Sequence, residues 1–159
     1  MSAEVQLEIV LRVFVALVIG ALVGIEREYR GHPAGLRTMA MVSVGSCLFT
    51  AAGLFFIPGR TPDPTRIAAQ VVTGVGFLGA GAIFRSEDGV KGLTTAATVW
   101  VVAALGMAVG FGLFLLAGFG VVIVLIGLVL VRPLEIRFLR RPDHPMRRRE
   151  DGIDPPREH

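Results

Sequence analysis

The chain has 159 residues, 53% of them hydrophobic and 18% charged, with a formal net charge of +3, and its mean hydropathy is +0.66. A water-soluble domain carries about 25% charged residues. Here the charges are fewer and crowded into a few places, which excludes disorder, a secreted disulfide scaffold and an ordinary soluble enzyme, and points to a polytopic membrane protein.

In chain order, apolar runs cover residues 7–25, 38–57, 67–84 and 94–131. A bilayer core about 30 Å thick needs about 20 helical residues. The first three runs supply one span each. The fourth is long enough for two and is expected to break around Gly106–Gly112, its most flexible point. None of the runs alternates apolar with polar residues, which argues against strands. The expected fold is therefore an all-α membrane protein with five transmembrane helices, at about 7–25, 38–57, 67–84, 94–107 and 111–131, within a domain of residues 1–131. Residues 132–159 hold five prolines and eight arginines and are expected to form a basic, largely disordered cytoplasmic tail. Glu4 and Glu8 precede the first helix instead of a basic region, so that helix is not expected to be a removable signal.

Five spans place 13 of the lysines and arginines on the tail side and 3 on the other. Four spans would leave 11 on the tail side and 5 on the other, a smaller asymmetry. The asymmetry puts the tail in the cytoplasm and the N-terminus outside. It also explains the isoelectric point near 10.0 without nucleic acid. Gly35–Ala40 and Gly92–Ala97 match at an offset of 57, and the segments before them are also similar. Two repeated helical hairpins plus a fifth helix is one reading; chance similarity between glycine-rich segments is the other.

Several residues stand out. Gly74–Gly79 fits the dinucleotide pattern G-x-G-x-x-G, but it lies inside an apolar span with no preceding strand, so that reading is discarded. Gly20, Gly24, Gly74, Gly76, Gly79 and Gly81 instead suit close helix packing, within one subunit or between two. Glu26, Arg27 and Glu28 close the first helix, and Arg37 opens the second at a similar depth. A carboxylate at Glu26 needs a partner; a Glu26–Arg37 pair and a substrate or ion role are both open. Arg12 is expected to snorkel outward and pair with Glu8. Asp63 and Pro64 fit a helix cap and first turn. Asp63, Arg66, Gln70 and Thr73 share one helix face and form either a cap with incidental polar neighbours or an outer vestibule. Asp63 is the one carboxylate there for a hard cation, and Arg66 beside it opposes that role. Cys47 is the sole cysteine and is expected to be buried, with no disulfide. No nucleophile–base pair, phosphate loop or histidine cluster is visible, so no enzyme activity, catalytic residue or cofactor is expected.

Three stretches, GALVGIEREYRGHPAGLRTMAMVSVGS (20–46), DPTRIAAQVVTGVGFLGAGAIFR (63–85) and GLTTAATVWVVAALGMAVG (92–110), resemble the MgtC/SapB family of bacterial inner-membrane proteins. The resemblance implies about five helices, an inner-membrane location and a link to magnesium limitation, with Mg²⁺ as ligand or substrate. It also implies, in some members, survival inside host cells. Some members are described as magnesium transporters; others are non-transporting regulators that restrain the proton-translocating ATP synthase. The family's charged positions carry over to Glu26, Arg27, Glu28, Arg37, Asp63, Arg66 and Gln70. Longer members have a folded cytoplasmic C-terminal domain, which is not expected in this sequence. The partners expected are the lipid bilayer, a second copy of the chain in a dimer, and another membrane protein.

Overall fold

A computed structural model describes residues 2–55, 63–87 and 89–134, with side chains described through Val131. Residues 56–62 and those beyond 134 lie outside the described residues, and with them the end of the second expected span and nearly all of the basic tail. The fold is all-α. Its helices are α1 (Ala3–Tyr29), α2 (Leu36–Phe55), α3 (Pro64–Gly81), α4 (Leu93–Gly110) and α5 (Phe114–Leu134). Between α3 and α4 the expected loop forms a small antiparallel hairpin, β1 (Phe84–Ser86) with β2 (Gly89–Lys91), in which Phe84 faces Lys91 and Arg85 faces Val90.

Four helices, α1, α2, α4 and the Phe114–Val131 part of α5, are long and apolar enough to cross a membrane. α3 has 18 residues, but Arg66, Gln70 and Thr73 dilute its apolar character. The helix ends follow local chemistry. The Ser2 side chain accepts a hydrogen bond from the Val5 amide at the start of α1. Asp63 caps α3 and Pro64 occupies its first turn. The break in the long apolar run falls at Phe111–Leu113, where Gly112 takes φ +81°; α4 continues straight through Gly106, because that glycine is used for packing.

The core of the unit Met1–Leu125 is built by α1, α2 and α4. Along α1, Arg12, Ala16, Ile19, Gly20, Val23, Gly24 and Arg27 are buried and recur at three- and four-residue steps, so they form one stripe. A Cβ on Gly20 would stand 2.6 Å from the Met39 carbonyl oxygen, and one on Gly24 2.6 Å from the Leu36 Cα. Gly106 and Gly110 of α4 meet Ser43, Cys47 and Thr50 of α2 equally closely. Between apolar helices in an apolar solvent, such backbone contact is what holds a pair together. The contacts run α1 antiparallel to α2 and α4, with α2 and α4 parallel. α3 packs beside α4, with Gly79 against Ala96. The first half of α5 buries Ala117 and Val121 and leaves Leu115, Leu116, Phe119 and Ile123 exposed. The second unit, from Ile126 onward, is described only as the apolar last part of α5.

Candidate functional site

The ionic groups of the core lie at the two ends of the α1 stripe, and both are arginines. At one end Arg27 is 1% exposed. Its Nη2 donates to Thr95 Oγ1 at 2.5 Å in the first turn of α4, while its Nε is buried without a hydrogen-bond partner. Although Arg27 closes the first helix between Glu26 and Glu28, it is turned inward, because it lies seven residues after Gly20 on the packed face. The neighbouring carboxylates are directed elsewhere. Glu26 Oε1 lies 2.6 Å from Arg30 Nε, one turn on. The contact is one of charge rather than of an aligned hydrogen bond, since both Glu26 oxygens lack such a partner. Arg37, expected opposite Glu26, is instead exposed. Glu28 Oε2 accepts from the Leu36 amide at 2.8 Å and so holds the start of α2.

In front of this end lies a cavity of about 510 Å³ between the α1–α2 turn and the hairpin leading into α4. Arg30, His32, Lys91, Gly92, Thr94 and Thr95 line its polar part. Gly92 takes φ +92°, and a Cβ there would overlap the Ala82 carbonyl.

At the opposite end Arg12 is buried rather than snorkelling. It pairs with Glu8 as expected from the spacing, but its Nη1 donates to the Gly110 carbonyl at 2.5 Å and its guanidinium lies 5.3 Å from the centre of the Phe55 ring. The Met107, Ala108 and Val109 carbonyls at the end of α4 accept from the Phe111, Leu113 and Gly112 amides; Arg12 takes the Gly110 carbonyl, where a cation is favoured by the helix dipole.

The α3 stripe has a different character. Asp63, Arg66, Gln70 and Thr73 are all exposed. Asp63 Oδ1 accepts from the Thr65 amide at 2.9 Å and from Thr65 Oγ1 at 2.6 Å. Those two bonds stabilise the ionised carboxylate and hold it below its usual pKa. Thr73 Oγ1 donates back to the Ala69 carbonyl, the ordinary use of a helical threonine. Arg66 and Gln70 line a groove of about 820 Å³ against Met41, Ser46 and Phe49 of α2, with Gly74 further along. Of the glycines, Gly20, Gly24 and Gly79 meet a neighbouring helix, whereas Gly74, Gly76 and Gly81 meet nothing within 4 Å. Among the described residues no three His, Cys, Asp or Glu side chains converge as a metal site would need. Cys47 is buried and free.

Apolar helices in backbone contact, with inward-facing arginines at both ends of the packed core, define a polytopic α-helical membrane protein. The chain belongs to the MgtC family, whose model matches residues 13–137. It is 43% identical over 137 residues to the uncharacterised protein slr0014 of Synechocystis, covering 86% of this chain and 58% of that protein. YhiD of Escherichia coli K12, named as a candidate magnesium transporter, is 41% identical over 86% of this chain and 66% of its own length. Protein MgtC of Salmonella typhimurium is 41% identical over 84% of this chain and 56% of its own length. The chain thus spans somewhat less than two thirds of each of these relatives. No solved structure matches it.

Proposed function

We propose that this chain serves magnesium homeostasis in the bacterial inner membrane as a regulator acting through contact with another membrane component, not as a conductor of the ion between α1, α2 and α4. The observation that carries this reading is the pair of buried arginines at the ends of a glycine-tight core. A divalent cation about 4 Å from one guanidinium meets a repulsion of about 8 kcal/mol at an effective dielectric of 20. Glu8 offsets part of that at the Arg12 end, and Glu26, which pairs with Arg30 and also acts on Arg27, offsets part of it at the Arg27 end. The magnesium link is carried by kinship with YhiD and MgtC. The 13-to-3 charge asymmetry supports an outward N-terminus and a cytoplasmic tail.

The test couples two measurements on the full chain. A deletion strain grown at limiting magnesium is complemented by the intact gene, and purified protein in liposomes passes no Mg²⁺ above protein-free vesicles. Saturable Mg²⁺ flux would replace regulation with transport. The α2–α3 groove, with Ser46, Arg66 and Gln70, is then the path to mutate. The family resemblance makes the proton-translocating ATP synthase the first partner to test by crosslinking.

A further inference from the structure

The groove between α2 and α3 has an uneven shape. At the α3 N-terminal end the two helices touch, because a Cβ on Gly53 would overlap the Ile67 side chain. Further in they part, and a space of about 820 Å³ opens between them. Gly45 of α2 and Gly74 of α3 line it, and a Cβ on either would meet nothing within 4 Å. A helix about 10–12 Å across does not enter between two helices joined at one end, whereas a flexible chain does.

The lining is ordered by polarity. On α3, Arg66 comes first, Gln70 lies one turn further in, and the apolar Val71, Val75 and Leu78 follow. Arg66 is exposed and belongs to no ion pair among the described residues. Asp63 attracts it from three residues away but is itself bonded to Thr65, so it offsets only part of that charge. From α2, Ser46 faces the same space while being 3% exposed. Thr50 takes its carbonyl, and its hydroxyl has no hydrogen-bond partner among the described residues. A hydroxyl or amide turned toward hydrocarbon without a partner is costly. From Arg66 to Leu78 the α3 wall runs about 18 Å, close to one leaflet of a hydrocarbon core about 30 Å thick.

We propose that the α2–α3 groove holds one phospholipid, with its phosphate at Arg66, its ester carbonyls accepting from Gln70 and the Ser46 hydroxyl, and one acyl chain laid over Gly45 and Gly74. The order of groups along the groove is the order along the lipid: cation, neutral donors, then apolar wall. The two open glycines give the chain its bed, and the lipid supplies the acceptors that Gln70 and Ser46 lack. The inference does not depend on whether the protein moves magnesium.

The experiment uses the full chain, purified in neutral detergent, stripped of lipid and titrated with dioleoylphosphatidylglycerol. Native mass spectrometry counts the lipid bound, and dioleoylglycerol serves as the matched probe without a phosphate. The native chain takes up one phosphatidylglycerol saturably and binds dioleoylglycerol roughly 10- to 100-fold more weakly, the range for a charge-assisted hydrogen bond. Arg66→Gln loses that preference, and Ser46→Ala weakens binding of both probes roughly 2- to 10-fold. Gly45→Leu fills the bed and abolishes the one-to-one complex. Arg85→Gln removes an exposed arginine outside the groove and binds as the native chain does. Thermal unfolding without lipid confirms that each variant is folded; Arg66→Gln and Ser46→Ala keep the test open if Gly45→Leu is not. The proposal is overturned if the native chain holds no lipid at one-to-one, if dioleoylglycerol binds equally well, or if Arg85→Gln loses as much affinity as Arg66→Gln. A dimer of lipid-free chains that Gly45→Leu disrupts and Arg66→Gln does not would also overturn it, by giving the groove to a second copy.

Discussion

Replacing Gly106 by alanine is the sharpest test of the packing. A Cβ there runs into the backbone carbonyl of Ser43, with that residue's carbonyl carbon and Cα each 2.9 Å away. None of these atoms is the end of a flexible side chain, so α2 and α4 must separate. Overpacking of this kind costs about 1–3 kcal/mol, against which alanine returns about 0.5–1 kcal/mol of helix propensity. The net is a loss of about 1–2 kcal/mol. Gly74→Ala is the control, because nothing lies within 4 Å of a Cβ at that position. It keeps only the propensity gain, so the two variants should differ by the overpacking cost, roughly 1–3 kcal/mol, with opposite signs. For a chain of this size each kcal/mol moves the midpoint by about 2–4 °C, so the difference is readable by thermal circular dichroism in detergent. A neutral or stabilising Gly106→Ala would refute the close α2–α4 contact. A destabilising Gly74→Ala would show that a second copy occupies the α3 surface.

Other consequences are as specific. Arg12→Met leaves the Gly110 carbonyl unmatched and should destabilise the protein by about 1–3 kcal/mol, read by the same melt. A double-mutant cycle between Glu26 and Arg30 should show coupling of about 1 kcal/mol, as partly exposed pairs do, whereas the cycle between Glu26 and Arg37 should be additive. Asp63→Asn should support normal growth at limiting magnesium with normal membrane abundance, because asparagine caps as well as aspartate; loss of growth with abundance intact would return Asp63 to a functional role. The lowered pKa of Asp63 means that its capping contribution is complete above the unfolded value and is lost as pH falls through the lower folded one. The start of α3 should therefore loosen only below about pH 4, measurable by amide exchange at Thr65.

Hydrophobic run length made the helices legible, because a membrane-spanning segment must satisfy its backbone internally and be apolar for about 20 residues. The α4–α5 break falls at the far edge of the expected Gly106–Gly112 stretch, since glycine serves both flexibility and close approach and composition alone does not say which. Gly106 packs and Gly112 turns. The inward turn of Arg27 was written in the spacing: 12, 16, 20, 24 and 27 lie on one face, and the glycines of that face mark the packed side. The charge-rich setting of Glu26 and Glu28 concealed it. Strands of three residues leave no periodicity, so the hairpin was read as loop, although Asp88-Gly89 is a turn signal. Pairing geometry was beyond the sequence. Whether Glu26 meets Arg30 or Arg37 depends on how the α1–α2 turn is folded, and Glu28 settles that by bonding to the Leu36 amide.

The partners of the two α1 arginines carry a consequence for how the chain is made. Thr95 follows Arg27 by 68 residues, and Gly110 follows Arg12 by 98. At about 5–20 residues per second, α1 waits roughly 3 to 20 seconds after synthesis before α4 exists to receive it. An arginine at the centre of an isolated membrane helix costs about 2.5–3.5 kcal/mol on insertion scales, an upper bound for these two, which lie toward the ends of the α1 stripe. Until α4 arrives, Arg12 has Glu8 one turn away, and Arg27 has the neighbouring Glu26, which it shares with Arg30. The first helix should therefore keep its arginines in a protein-lined or watery setting until the fourth is delivered. Ribosome-bound chains halted before Thr95 should leave the Arg27 end of α1 reachable by water-soluble reagents, and chains halted beyond Gly110 should close it.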